Sequence, residues 1–426
     1  MIVFILGFYG YALFLAATRP NQFVLFYILA STKFLGFLDP ALFLFGRFEI
    51  GYFGINLIAI FTLFFKRKWY EVPQKSQIML FLAVITLLYG ILKPILSTHS
   101  TAFQALLASK DIWFFAILFY LMVYFDEIKS TKIVNTVIYI GIYFSILYCV
   151  HLVLPQITPP VYNQGAHLRT FFPTYISLGL FFQAVKIKQS ETVQVSSIII
   201  ILLLALGLIL ATHFSLTLMT FFACLLYFFA FDKNLDFKKE TITKLVITSL
   251  VGFSLVLFFV NGLYQSLVDT INGIIYSEDL ALSTRDIYNK FRWDAIEKSK
   301  YIGYGFIHQS SALMNQVKLS GTSAFMERFT VIDSGYVDLL IKYGYVGTTV
   351  SLLVLYRFYF LGFVKKYRNA VTLAMSLYMS QYLFINYTWS VFSFAHGIIP
   401  SSIAFYIIIV YKDEVFNDEI IIEDEN

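Results

Sequence analysis

The sequence predicts an all-α polytopic membrane protein with about 12–13 transmembrane helices and one long extracytoplasmic loop near its C-terminal end. Three observations carry this. The 426 residues are 59% hydrophobic and 13% charged, whereas a soluble domain is about half apolar and a quarter charged. The mean hydropathy is +0.74. The basic residues collect in short loops at alternating positions, as expected of cytoplasmic loops. The net charge of +5 therefore needs no nucleic acid to explain it.

A span needs about twenty mainly apolar residues. The first run is Met1 to Ala17, ending at Thr18-Arg19-Pro20. It has no basic leader and more runs follow, so no cleavable signal peptide is expected. The second, Phe23 to about Phe45, contains Lys33 and Asp39-Pro40, which mark a break. The third ends at Phe65, before Lys66-Arg67-Lys68. Further runs follow at about 77–96, 103–125, 133–154, 171–187, 193–211, 214–231 and 245–262, then 334–356, 370–387 and 396–411.

Alternation from a cytoplasmic 66–76 loop puts the lysine- and arginine-bearing loops 126–132, 186–192, 232–244 and 357–369 on the same side. It puts 155–170 and 263–333 outside. The chain thus divides into N-terminal helices (1–262), a long outer loop with amphipathic helices (263–333), C-terminal helices (334–411) and an acidic cytoplasmic tail (412–426). No internal repeat of the transporter kind is visible. Cys149 and Cys224 both lie in apolar runs and read as small packing residues.

Chemistry is sought among the polar residues of the outer segments. Arg285 and Arg292 are seven residues apart, about 20° from the same helical direction. On a helix capped by Ser283 or Thr284 they form either a fork for a phosphate or diphosphate or a solvated face that snorkels to headgroups. Arg169 heads an apolar run, where a charge needs a cavity or a partner. His213 sits in a tight outer turn, and His308 follows the Gly303-Tyr304-Gly305-Phe306 turn. Asp333 precedes a run, as a helix cap or as a base for a sugar hydroxyl. Asp338 and Lys342, four apart, are expected to pair with each other. His99, Lys93, Lys110 and Asp111 crowd another outer end without an assigned role. There is no HExxH, CxxC, GxxxxGK[ST] or GxSxG pattern, so no metal and no cofactor is expected.

Three stretches now resemble a known family: Arg292-Trp293-Asp294-Ala295-Ile296, Ile302-Gly303-Tyr304-Gly305, and Asp333-Ser334-Gly335-Tyr336-Val337-Asp338-Leu339-Leu340 running on to Gly347. Together they look like the signature region of bacterial O-antigen polymerases (Wzy-type) and the related O-antigen ligases. The close match covers about 285–347, and the many-spanning plan with one long outer loop is shared over most of the chain. The resemblance implies a membrane glycosyltransferase of GT-C-like architecture in the bacterial cytoplasmic membrane. Its donor and acceptor would be undecaprenyl-diphosphate-linked glycans, with a flippase and a chain-length regulator as partners. Arg169, Arg285 and Arg292 then become diphosphate or glycan contacts, and the motif's His-or-Asp position falls on Asp333, with His308 as the other candidate base. Ligases usually show His at that position, so Asp333-Ser334 is closer to the polymerase branch. The related proteins' Ser-Arg pair is here Ser215-Leu216, so that arginine contact is absent unless His213 substitutes for it as a diphosphate or glycan contact. The rival readings are an O-antigen ligase and, in another class, a transporter or flippase for lipid-linked glycans.

Overall fold

The structure is a computed structural model, described over residues 2–32, 44–45, 48–66, 74–154, 172–190, 193–211, 213–229, 292–308, 310–314, 334–364 and 368–411. Its regular elements are helices, apart from a two-residue antiparallel pairing of Leu44–Phe45 with Phe48–Glu49. The helices are α1 (Ile2–Thr18), α2 (Pro20–Ser31), α3 (Ile50–Lys66), α4 (Gln74–Leu96), α5 (Ala102–Ala108), α6 (Ala116–Val123), α7 (Ser130–Val153), α8 (Pro173–Gln189), α9 (Val195–Leu210) and α10 (Phe214–Phe229). A short α11 covers 292–298. Then come α12 (Gly335–Tyr359), α13 (Ala370–Thr388) and α14 (Ala395–Tyr411).

Local chemistry sets many of these boundaries. Pro20 and Pro173 stand in the first turns of α2 and α8, where a missing N–H costs nothing. Thr101 with Gln104, and Asn369 with Thr372, close capping boxes on α5 and α13. The second apolar run is indeed interrupted, since α2 ends at Ser31, before Lys33.

The run 103–125 is not one straight span. It is α5 and α6, bent by 62°. The polar Ser109-Lys110-Asp111 triplet interrupts the apolar pattern. The backbone tightens there into the three-residue turns Ile112 N–H to Ser109 O (3.0 Å) and Phe114 N–H to Asp111 O (3.1 Å). Lys188 also departs from the sequence picture. It is buried in the last turn of α8, where its ammonium donates to Tyr227 O at 3.2 Å near the C-terminal end of α10.

The core is centred on α8 and α14, which are buried on nearly every side. A helix apolar all round belongs in an interior. Three of the polar side chains there satisfy one another. Ser177 meets Thr220 at 2.9 Å, Thr220 reaches Gln381 Oε1 at 2.9 Å, and Gln381 Nε2 donates to Ser177 Oγ at 3.1 Å. This closed triangle ties α8, α10 and α13 together without leaving an unpaired group. Among the described residues, α7 over Ser130–His151 is long and apolar enough to cross a bilayer, as is the bent α5–α6 pair taken together.

One long helix is broken. Within α12, Gly344 has φ 63° and ψ −172°, a conformation that needs glycine. A break strands carbonyls on one side and N–H groups on the other. Segment 300–305 supplies partners for both. Tyr304 N–H donates to Ile341 O (2.8 Å) and Gly305 N–H to Lys342 O (2.9 Å), while Tyr345 N–H donates to Lys300 O (2.9 Å) and Val346 N–H to Tyr301 O (3.2 Å). Gly303 and Gly305 also have positive φ, so the segment can turn tightly against the break.

The same segment docks on α4. Pro94 lies inside that helix, so Gly90 O loses its intrahelical donor. Phe306 N–H takes that place at 2.7 Å, and the Tyr89 hydroxyl donates to Ile302 O. Replacing Pro94 with Ala restores a competing N–H within α4. Hydrogen exchange of 299–308 should then accelerate, with little change in α8; unchanged protection of 299–308 would refute the role given to Gly90 O.

Candidate functional site

The site is assembled at one end of the bundle. The first turns of α8, α10, α12 and α14 meet there with the last turn of α13. Three contacts fix this: the Thr174 hydroxyl donates to His396 O, Thr388 Oγ1 donates to Ser215 Oγ at 3.0 Å, and Tyr336 Oη donates to Leu383 O at 2.6 Å. Four helix N-termini therefore face the same region, each carrying the partial positive charge of its exposed N–H groups.

The hairpin between α13 and α14, residues 389–394, forms the centre of this end. The Trp389 indole stacks with two imidazoles, His213 at 4.8 Å and 17° and His396 at 4.9 Å and 16°. Phe394 continues the stack beyond His396, at 5.3 Å and 10°. Trp389 is half-buried and already stacked on two rings. His213 thus has a definite place in the site, as the first ring of a four-ring stack.

Asp338 and Lys342 pair as their spacing predicts, at 2.6 Å. Asp338 is 3% exposed. Ser393 of the hairpin donates to the same Asp338 oxygen and accepts from Lys342 Nζ at 3.3 Å. Lys342 also lies over the Phe306 ring, 5.6 Å from its centre. The group joins α12, the hairpin and the docked loop, and it neutralises its own charge.

Arg292 opens α11 and is 4% exposed, with its side chain already engaged. The solvated-face reading of this arginine therefore fails. Arg292 and Ile296 share the buried face of α11, and Ile296 packs with Met314, Val337 and Ile341 against the first half of α12. Trp293, on another face, is exposed. The helix is thus docked on α12 rather than lying free on a surface.

His308 is held by its neighbours. Its Nδ1 accepts from Ser310 N–H at 3.2 Å and meets Ser310 Oγ at 2.8 Å. Gln104 Nε2 anchors Ser310 in turn, donating to its carbonyl at 2.7 Å. With Nδ1 accepting, the neutral ring carries its proton on Nε2. His308 makes a further interaction besides these, so its ring is a fixed part of the turn. Arg169, Arg285 and Asp333 lie outside the described residues; Asp333 directly precedes Ser334, at the entry to α12.

The hairpin 389–394 was not among the sequence candidates. Its signal was a polar, ring-rich interval, Trp389-Ser390 to Ser393-Phe394, with His396 just inside the next apolar run. Nor was the role of His99, whose carbonyl accepts from Leu313 N–H at 3.4 Å and whose ring lies 5.9 Å from Tyr304. Its Nδ1 is buried without a hydrogen bond.

Two outcomes follow from this geometry. Lys342→Met leaves the buried Asp338 without its counter-charge and should lower stability by about 3–5 kcal/mol, read by thermal unfolding in detergent. Adding Asp338→Asn should recover part of the loss; no recovery would show that Lys342 acts by packing alone. His99 is held below the usual histidine range, first by burial and then by the Lys93 ammonium. The native state therefore refuses a proton that the unfolded chain binds. Stability from this group is complete above its unfolded pKa, about 6.5, and declines as pH falls through that value. Exchange at 97–104 and 308–313 should rise on acidification from pH 7.5 to 5.5, and His99→Gln should flatten the response.

No protein-family model matches this chain, no curated protein matches it in sequence, and no solved structure matches it in fold.

Proposed function

We propose that this chain is a polytopic glycosyltransferase of the bacterial cytoplasmic membrane that polymerises undecaprenyl-diphosphate-linked glycan repeat units into a surface polysaccharide. A bilayer setting is supported by the side chains left outside the packed core. Val3, Leu6, Phe61, Phe81, Val195 and Leu353, on five different helices, are all more than half exposed. Apolar surface on this scale calls for a lipid or protein cover.

The observation that carries the chemical reading is the placement of Arg292. A buried arginine with a partner of its own sits on a helix that packs against the first half of α12, and α12 itself begins two residues after Asp333, within the signature stretch. Four converging helix N-termini add to a field that favours a diphosphate. In the reaction, the acceptor hydroxyl oxygen bonds to the anomeric carbon of the growing glycan. The bond from that carbon to the diphosphate oxygen breaks, and its electron pair leaves with the lipid diphosphate. The acceptor proton passes to Asp333. Arg169, Arg285 and Arg292 stabilise the charge that develops on the leaving group. His308, through Nε2–H, orients a sugar oxygen.

The break at Gly344 is the feature that favours a transporter, since transporters use broken helices to hold ions and substrates. Here the backbone groups on both sides of the break are taken up by 300–305, which leaves little for a cargo. A polymerase accordingly remains the better reading, and a ligase differs from it only in acceptor.

In cells lacking the native gene copy, Arg169→Ala, Arg285→Ala and Arg292→Ala, each confirmed as expressed, should leave single repeat units in place of long chains on gels. In a reconstituted assay each should lower turnover by about 10²–10³. Normal chain lengths in all three would sink the diphosphate clamp. Asp333→Asn should abolish polymerisation; if it does not, Asp333 is only a helix cap. Loss of a ligase would instead leave full polymer on the lipid carrier.

A further inference from the structure

At the end of the bundle away from the candidate site, α2 and α7 run side by side from a common start. Asn21 ties the two beginnings together, donating to Glu127 O and accepting from Lys129 N–H, both at 2.8 Å. Between the helices lies an open cavity of about 510 Å³, within the size range of small-molecule sites. Its lining changes character along its length. Asn21, Gln22, Lys132, Asn135 and Thr136 form one end, and Leu25, Leu29, Tyr139, Ile140 and Tyr143 line the body, with Thr32 at the far end of the α2 wall. From Lys132 to Tyr143 the groove follows α7 for roughly 16 Å at 1.5 Å per residue.

The polar end is basic. Arg19 reaches Gln22 Oε1 at 3.5 Å, and Lys186 donates to Asn135 Oδ1 at 2.6 Å. Lys129 and Lys132 are exposed beside them, against two nearby acids, Asp126 and Glu127. Lys132 makes no ion pair among the described residues. A groove with a cationic, amide-rich mouth and an apolar body fits an amphiphile with an anionic head.

We infer that this groove binds an anionic phospholipid, with its phosphate at Lys132, Arg19 and the Asn21–Gln22 amides and one acyl chain lying along Leu25, Leu29 and Ile140. The volume admits a chain, not a whole lipid, so the headgroup and second chain stay outside. The site is separate from the proposed chemistry. It rests only on the bilayer part of the reading above, because the groove opens beside helix ends whose basic loops mark the cytoplasmic side.

The test uses the full chain in neutral detergent. Phosphatidylglycerol should raise the unfolding temperature by about 3 °C. Phosphatidylcholine with the same chains, and inorganic phosphate, should leave it within error. Lys132→Glu should remove the rise, and Lys132→Gln should reduce it. A second measurement does not depend on those variants folding. Tyr139→Trp places a fluorophore on an exposed groove position, and brominated phosphatidylglycerol should quench the added fluorescence at least threefold more than brominated phosphatidylcholine does. Equal effects of the two lipids would mean unspecific coating and overturn the proposal, as would a full response to inorganic phosphate alone or an undiminished response in Lys132→Glu. A chain that stays in aqueous buffer without detergent would overturn the bilayer reading and this proposal together, whereas loss of polymerisation alone touches only the chemistry.

Discussion

The arrangement depends on one backbone exchange, between the broken α12 and the segment 300–305. A helix interrupted in an apolar setting exposes donors and acceptors that water cannot reach, each costing about 1–3 kcal/mol if left unmade. Four hydrogen bonds from one short segment cover both sides of Gly344. A fifth, from Phe306 to Gly90 O, covers the carbonyl that Pro94 strands in α4. Two defects in two helices are thus repaired by the same stretch. That stretch lies between the helix bearing Arg292 and the turn bearing His308, so repair of the helices and positioning of the candidate residues are one event.

The polar stretch 263–333 is tied to the bundle through its described residues. Its described parts are packed components of the bundle, with Arg292 and Ile296 turned inward and Ser310 held by Gln104. The contacts among His213, Trp389, His396 and Phe394 join the start of α10 to the α13–α14 hairpin. Between them the Asp338–Lys342–Ser393 group holds two opposite charges that cancel locally. The group therefore adds no net charge to this end of the bundle.

Much of this was legible in the residues. Apolar runs of span length become helices because nothing in them competes with the backbone bonds, and the i, i+4 spacing of Asp338 and Lys342 was sufficient to pair them. The bend at Ser109-Lys110-Asp111 was not read, because three polar residues in a long apolar run are compatible with a straight helix that hides them. The fate of Arg292 was undecidable from spacing, since a buried and a solvated helix face have the same period. The docking of Phe306 on Gly90 was invisible because it depends on a carbonyl freed by Pro94 more than two hundred residues earlier. The 389–394 hairpin was passed over because it is short, although its two serines and its rings set it apart from the flanking runs.

The triangle of Ser177, Thr220 and Gln381 has a consequence for how the protein is made. Two of its members lie 43 residues apart, whereas the third follows Thr220 by 161. A ribosome-bound chain has Ser177 and Thr220 facing each other long before α13 emerges. Their hydroxyls can hold α8 and α10 together in the interval, but the seat for the Gln381 amide stays empty. The triangle can close only once α13, which begins at Ala370, has been made.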